Sequence, residues 1–189
     1  MKRICIFGDS VVCGEGDTVN GGWVNLLAKH LKDYEIFNLG IDGGTIQDIQ
    51  EIFEKEIKEK NPDTIIFEAG GNDSAYDIDS NEFLVFENEF RKSVNSLILH
   101  AQKHTENIIF IGFTNCDESK TMPVDWCNLC YENKNIQKYN EIISNICDQN
   151  GVVFIDTYEI LDNDDFFDGL HPNSIGHEKI FQRIKEFIK

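Results

Sequence analysis

Five short apolar runs constrain this chain more than any other feature of it. They occupy residues 4–7, 35–39, 64–67, 108–111 and 152–155, and the first three close on Gly8, Gly40 and Gly70-Gly71. Each is rich in β-branched and aromatic residues and reads as a strand. Between them the apolar residues recur at helical spacing. Trp23, Leu26, Leu27 and Leu31 form one such stripe, and Ile46, Ile49, Ile52, Phe53 and Ile57 form another behind Thr45, the expected N-cap. The longest stripe starts at Phe83 and runs through Phe86, Phe90, Val94 and Leu97 to Ala101. Two more follow, from Ile136 to Ile146 and from Ile175 to Phe187.

Strands that alternate with helices make a parallel sheet covered on both faces. The expected fold is therefore α/β, a three-layer α/β/α sandwich on a five-stranded parallel sheet. The expected strand order is flavodoxin-like, 2-1-3-4-5. The 189 residues carry no internal repeat, low-complexity segment or linker, so one domain spanning 1–189 is expected.

Charge narrows the partners. A net charge of −17 argues against nucleic acid, which needs a basic patch, and against anionic lipid surfaces. No apolar run approaches the roughly 18 residues that span a bilayer. The run after Met1-Lys2-Arg3 is too short for a signal peptide, so a cytoplasmic protein is expected. The six cysteines are spread through the chain, and Cys5 and Cys147 fall on apolar faces. That is the behaviour of buried free thiols, unlike a secreted disulfide framework.

Ser10 lies on the loop that leaves the first strand, where open α/β sheets hold their ligands. Near the other terminus stands Asp168-Gly169-Leu170-His171-Pro172. A histidine can take the proton of a serine hydroxyl, and a carboxylate can fix its tautomer. A spacing of three lets one loop present both. Gly40 and Gly70-Gly71-Asn72-Asp73 follow the second and third strands, on the same rim. Ester hydrolysis builds charge on a carbonyl oxygen, and a glycine N–H or the Asn72 amide could meet it. Each block alone is an ordinary turn.

Taken in order, these blocks resemble the GDSL esterases, or SGNH hydrolases, named for a serine, glycine, asparagine and histidine in four blocks. The resemblance covers nearly the whole chain. It implies ester hydrolysis without a cofactor or metal, on a small-molecule ester substrate. By that likeness Ser10 is the nucleophile, His171 the base and Asp168 its orienting partner. The oxyanion hole is implied to be the backbone N–H groups of Ser10 and Gly40 with the side chain of Asn72, and Asp73 is implied to brace the Asn72 loop. Val11-Val12 departs from the leucine or isoleucine commoner in the family, a change expected to touch packing alone.

Within this likeness, short acyl esters and O-acetylated sugars are the expected substrates, with lysophospholipids and acyl thioesters as the alternative. A non-catalytic flavodoxin-like binding domain needs clustered carboxylates at the end of the first strand, and only Asp9 stands there. The connection 113–130 holds no clear helix or strand and leaves the fourth strand on the catalytic rim. It is expected to form one wall of the pocket, with Phe113 and Trp126 as substrate-binding residues. Cys127 and Cys130 have C-x-x-C spacing, but no second pair completes a zinc site. Asp162-Asn163-Asp164-Asp165 matches a calcium loop only briefly, since Phe166 and Phe167 then break the pattern. His30, His100, His104 and His177 read as surface or boundary residues.

Overall fold

The computed structural model describes residues 1–188. From the amino terminus come β1 (Lys2–Gly8), α1 (Ser10–Cys13), α2 (Gly22–His30), β2 (Tyr34–Gly40), α3 (Ile46–Lys60) and β3 (Thr64–Glu68). Two short strands follow, β4 (Tyr76–Asp77) and β5 (Glu82–Phe83), then α4 (Glu87–Ala101) and β6 (Ile108–Ile111). The chain continues through β7 (Leu129–Cys130), α5 (Asn133–Asn150), β8 (Val153–Ile155) and α6 (Ser174–Ile184). The main sheet has the order β2-β1-β3-β6-β8 with all pairs parallel. Counting only its own strands, that is the expected 2-1-3-4-5.

The alternation of side chains along β1 assigns the two faces. Ile4 and Ile6 pack with Trp23, Leu27, Ile180 and Ile184, under α2 and α6. Cys5 and Phe7 pack with Phe53, Phe90, Tyr139 and Ile143, under α3, α4 and α5. On that second face Phe7, Phe67 and Phe110 are register partners on β1, β3 and β6, and their ring centroids are 5.6 Å apart at each step. This row of rings fixes the height of the three strand ends that carry the site, with offset aromatic contacts adding to the buried apolar area.

Three features differ from the pattern-based expectation. α3 runs on to Lys60 and stops where Asn61 turns left-handed, at φ 47°. α4 begins at Glu87, four residues after Phe83, because Glu82 and Phe83 pair with β4 and the Phe83 ring sits edge-on to Tyr76. The long connection ends in β7, which joins β4 and β5 in a small antiparallel sheet. That sheet ties the segment after β3 to the segment before α5. No helix among the described residues is long and apolar enough to cross a membrane.

Candidate active site

β1 ends where it must pass close to two neighbours. A Cβ at Gly8 would stand 2.3 Å from Cγ2 of Val12 and 2.7 Å from the Glu68 carbonyl oxygen. Asp9 then caps α1 by accepting the Val11 N–H at 2.9 Å. Ser10 is the first residue of that helix, so its N–H has no intrahelical partner. Val11 and Val12 are buried in the core, and the unusual pair contributes packing there.

His171 and Asp168 arrive on a tight loop. Phe166 and Pro172 bridge, and the Phe167 N–H is donated to the His171 carbonyl at 2.8 Å. Gly169 turns the loop at φ 100°, where a Cβ would meet Lys120 at 2.7 Å. One oxygen of Asp168 accepts the N–H groups of Leu170 and His171 at 2.9 and 2.8 Å, and the other lies 2.7 Å from Nδ1 of His171. Since a carboxylate only accepts, Nδ1 carries the proton and Nε2 is free to accept. Nε2 is 3.0 Å from Oγ of Ser10.

The charges suit that arrangement. Burial by itself lowers the His171 pKa, but the hydrogen bond and charge of Asp168 outweigh it, and the pKa lies above the ordinary value. Burial likewise works to raise Asp168, and the hydrogen bonds it accepts bring it below the usual carboxylate range. Three buried carboxyls stand behind the serine. Burial raises Asp9 to about 6 and Asp73 to about 7, and it lifts Glu68 well above the ordinary value. One oxygen of Glu68 has no hydrogen-bond partner. Asp73 accepts the Ile46 N–H at 3.0 Å, which fastens the Asn72 loop to the start of α3.

A cavity of about 230 Å³ opens over Ser10 and His171, and Asn72 lines it too. Its other walls are Asp42, Gly43, Leu84, Trp126, Cys127, Leu129, Tyr131 and Leu170. None of these is lysine or arginine. The Trp126 ring is stacked on that of His171, with centroids 5.6 Å apart and planes 30° apart. A larger cavity of about 520 Å³ lies at the amino ends of the strands, lined in part by Lys2, Thr64, Asn107 and Val153, and contains none of these groups. The smaller cavity holds the groups that can do acyl-transfer chemistry.

Residues 6–179 match the GDSL-like Lipase/Acylhydrolase family. The chain belongs to that family. It is a serine carboxylic ester hydrolase. An acetylxylan esterase from Geobacillus stearothermophilus is 23% identical over 202 residues, covering 93% of this chain and 89% of its own. Among solved structures, the lipase/acylhydrolase from Enterococcus faecalis superposes with a TM-score of 0.80 at 23% identity, covering 100% of this chain and 98% of that one. An α/β hydrolase from the metagenome of Lake Arreo, Spain, gives 0.78 at 18% identity, covering 98% and 94%.

The esterase departs from the sequence-based expectation at several residues. Gly40 is not among the residues that line the cavity, and its N–H is donated to Oδ1 of Asn38 at 3.0 Å. Its lack of a side chain serves packing, since a Cβ would stand 2.7 Å from the Cys13 nitrogen and 2.9 Å from the Asp9 oxygen. Gly43, three residues on, does line the cavity. It has φ 67°, and its N–H makes no hydrogen bond among the described residues. The paired glycines after Gly40 were the only sign of it in the sequence.

Phe113 is buried in the core and seats Gly71, where a Cβ would lie 2.4 Å from its ring. An apolar loop residue beside the rim does not tell core from pocket, and Phe113 is core. Trp126 and Leu129 of the same connection do reach the cavity, and sequence reasoning missed Tyr131. His177 is fully buried, far from the surface or boundary setting expected for it. Its Nδ1 accepts the Trp23 N–H at 3.2 Å and its Nε2 faces the Glu15 carbonyl at 2.8 Å. Cys127 and Cys130 are free thiols. In the calcium-like stretch, Asp165 accepts the Asp162 N–H and pairs with Lys179 at 2.5 Å.

Proposed function

We propose that Ser10 is the nucleophile of this esterase, His171 its general base and Asp168 the group that orients and stabilises the imidazolium. The observation that carries the reading is the unbroken contact from Oγ of Ser10 to His171, 3.0 Å, and from His171 to Asp168, 2.7 Å. As Oγ attacks the ester carbonyl, its proton passes to Nε2 of His171. The same proton then goes to the leaving alcohol. Water repeats the sequence on the acyl-enzyme and releases the acid.

The tetrahedral oxyanion is met by the N–H of Ser10 and the side-chain amide of Asn72. The glycine donor in this reading is Gly43 rather than Gly40, because the Gly43 N–H is free and borders the cavity. Nδ2 of Asn72 has one firm acceptor, the Gly44 carbonyl at 3.0 Å, and one long contact, Asp9 at 3.4 Å. The second N–H is the one that turns to the oxyanion.

The substrate class is an O-acetylated carbohydrate or another neutral ester with a short acyl group. The small cavity supports a short acyl chain. Asp42 at its lip, the absence of a lining cation and the net charge of −17 disfavour polyanionic acyl thioesters. The similarity to an acetylxylan esterase points the same way. Residues 1–189 act in this reading as one domain. Six free cysteines support a reducing, cytoplasmic setting.

A fluorophosphonate probe followed by peptide mapping tests the nucleophile, with labelling expected at Ser10. Acetate release from acetylated xylooligosaccharides, set against hydrolysis of acetyl-coenzyme A, tests the substrate class. Turnover of the thioester alone would overturn that part.

A further inference from the structure

We infer that Tyr131 is a positioning residue for the Asn72 amide, and that delivering its hydroxyl is one task of the long connection between β6 and α5. The inference rests on the reading of Asn72 as an oxyanion donor.

Tyr131 lies just past β7 and is buried, with its hydroxyl 2.8 Å from Oδ1 of Asn72. Its backbone is held on both sides. The Tyr131 N–H is donated to the Thr121 carbonyl at 2.9 Å, and the Thr121 hydroxyl is donated to the Tyr131 carbonyl at 2.8 Å. The phenol is thus seated by the connection itself, and it meets Asn72 on the loop that follows β3. Burial pushes its pKa up, so the hydroxyl remains a donor across the working range.

The three contacts of Asn72 agree on one orientation. Oδ1 accepts from Tyr131, while Nδ2 faces two acceptors, Gly44 and Asp9. A flipped amide would set its oxygen against a carbonyl and a carboxylate. When substrate arrives, an N–H of Nδ2 must leave Asp9 for the oxyanion. The Tyr131 bond keeps the other end of the amide in place during that turn. A hydrogen bond to the amide oxygen also polarises the group and strengthens its N–H as a donor. Neither effect matters to the ground state as much as to the charged transition state, so the role belongs to kcat.

The test is Tyr131→Phe with p-nitrophenyl acetate, beside Asn72→Ala and the double variant. Tyr131→Phe is expected to lower kcat about tenfold, the loss of roughly one hydrogen bond, with KM within about twofold. Its affinity for a methyl trifluoromethyl ketone, whose adduct puts an oxyanion in the hole, should fall by a similar factor. In the Asn72→Ala background the same change should have no further effect on kcat.

An unchanged kcat in Tyr131→Phe, or effects of the two substitutions that multiply, would overturn the inference while leaving the Asn72 reading intact. Unchanged kcat in Asn72→Ala would instead overturn the reading and the inference with it. Should Tyr131→Phe fail to fold, 3-fluorotyrosine at 131 keeps the ring and changes the strength of the donor. It should move kcat with no change in melting temperature, and a flat response would overturn the inference.

Discussion

The side-chain oxygen of Asn38 accepts the N–H of Gly40 at 3.0 Å, and its amide N–H is donated to the carbonyl of Val12 at 2.7 Å. Asn38 therefore ties β2 to α1, the helix that carries Ser10, and occupies the N–H that the family likeness assigns to the oxyanion. Gly40→Ala would drive a Cβ into the Cys13 nitrogen and the Asp9 carbonyl, so it should lower both melting temperature and kcat. Gly43→Ala meets no atom within 4 Å and bears only the strain of φ 67°, about 1–2 kcal/mol. It should cost a few degrees of melting temperature and a larger share of kcat, because relieving the strain turns the N–H. Paired thermal melts and initial rates check this. A Gly43→Ala enzyme with full kcat would return the role to another donor.

Ser10→Ala should lower kcat by on the order of 10³ or more, since triad members act as a unit. The base must be neutral to accept a proton, so kcat/KM should fall as pH drops through the His171 pKa. That pKa is raised, so the fall should be centred above the ordinary 6.5. Asp168→Asn removes the charge that raises it and leaves at best a neutral hydrogen bond in place of the charged one. Burial then dominates, and the acid limb should move to lower pH as the maximum rate falls. A pH–rate profile of both enzymes on p-nitrophenyl acetate decides it, and a profile flat between pH 5 and 8 would remove His171 from the base role.

Much of the fold was legible because apolar runs and stripes report burial directly. The runs at 4–7, 64–67 and 108–111 lie within β1, β3 and β6 and cover most or all of them. The contact among Ser10, Asp168 and His171 was legible because each stands in a short block of fixed spacing. What failed was choice between neighbours. Phe83 shares the spacing of the α4 stripe, but pairing with β4 and the Tyr76 ring claims it. Gly40 and Gly43 are alike in sequence, and only the approach of α1 decides which faces the cavity. Phe113 and Trp126 are both large and apolar, and one packs beneath Gly71 while the other lies half-exposed on His171. Tyr131 signals nothing locally, since its partner is 59 residues away.

The buried carboxyls predict an uncommon stability profile. Asp73 has its folded pKa raised from 3.8 to about 7, so folding favours its protonated form. Its contribution is full below about pH 4 and is lost as pH rises through 7. Asp9, raised to about 6, and Glu68 act in the same direction. Asp17 opposes them at the acid end. Burial works against its charge, but the N–H groups of Asn20, Gly22 and Val19 and the Ser174 hydroxyl lower it to about 2, so its contribution is lost as pH falls below 3.8. Asp73→Asn keeps an acceptor for the Ile46 N–H and cannot ionise. The melting temperature of this variant minus that of the native chain should therefore grow by several degrees between pH 4 and 8. A difference constant across that range would show that Asp73 does not titrate there.

Trp126 offers the sharpest view of the pocket. Its ring stacks on His171 and lines the cavity while half of its surface meets solvent, 52%. Removing it should therefore cost little stability, and the melting temperature of Trp126→Ala should stay within a few degrees of the native value. The cavity it vacates lies beside the serine and can take further methylenes of an acyl chain. Each methylene held there contributes up to about 0.8 kcal/mol, or about fourfold in kcat/KM. The ratio of kcat/KM for p-nitrophenyl butyrate over acetate should accordingly rise several-fold. Loss of the stacked ring also exposes His171 to water, so the absolute acetate rate should fall at the same time. If both esters slow by one common factor, Trp126 shields the base without shaping the acyl site. In that case the acyl wall is Leu84, beside β5, or Leu129, in β7, both of which line the cavity.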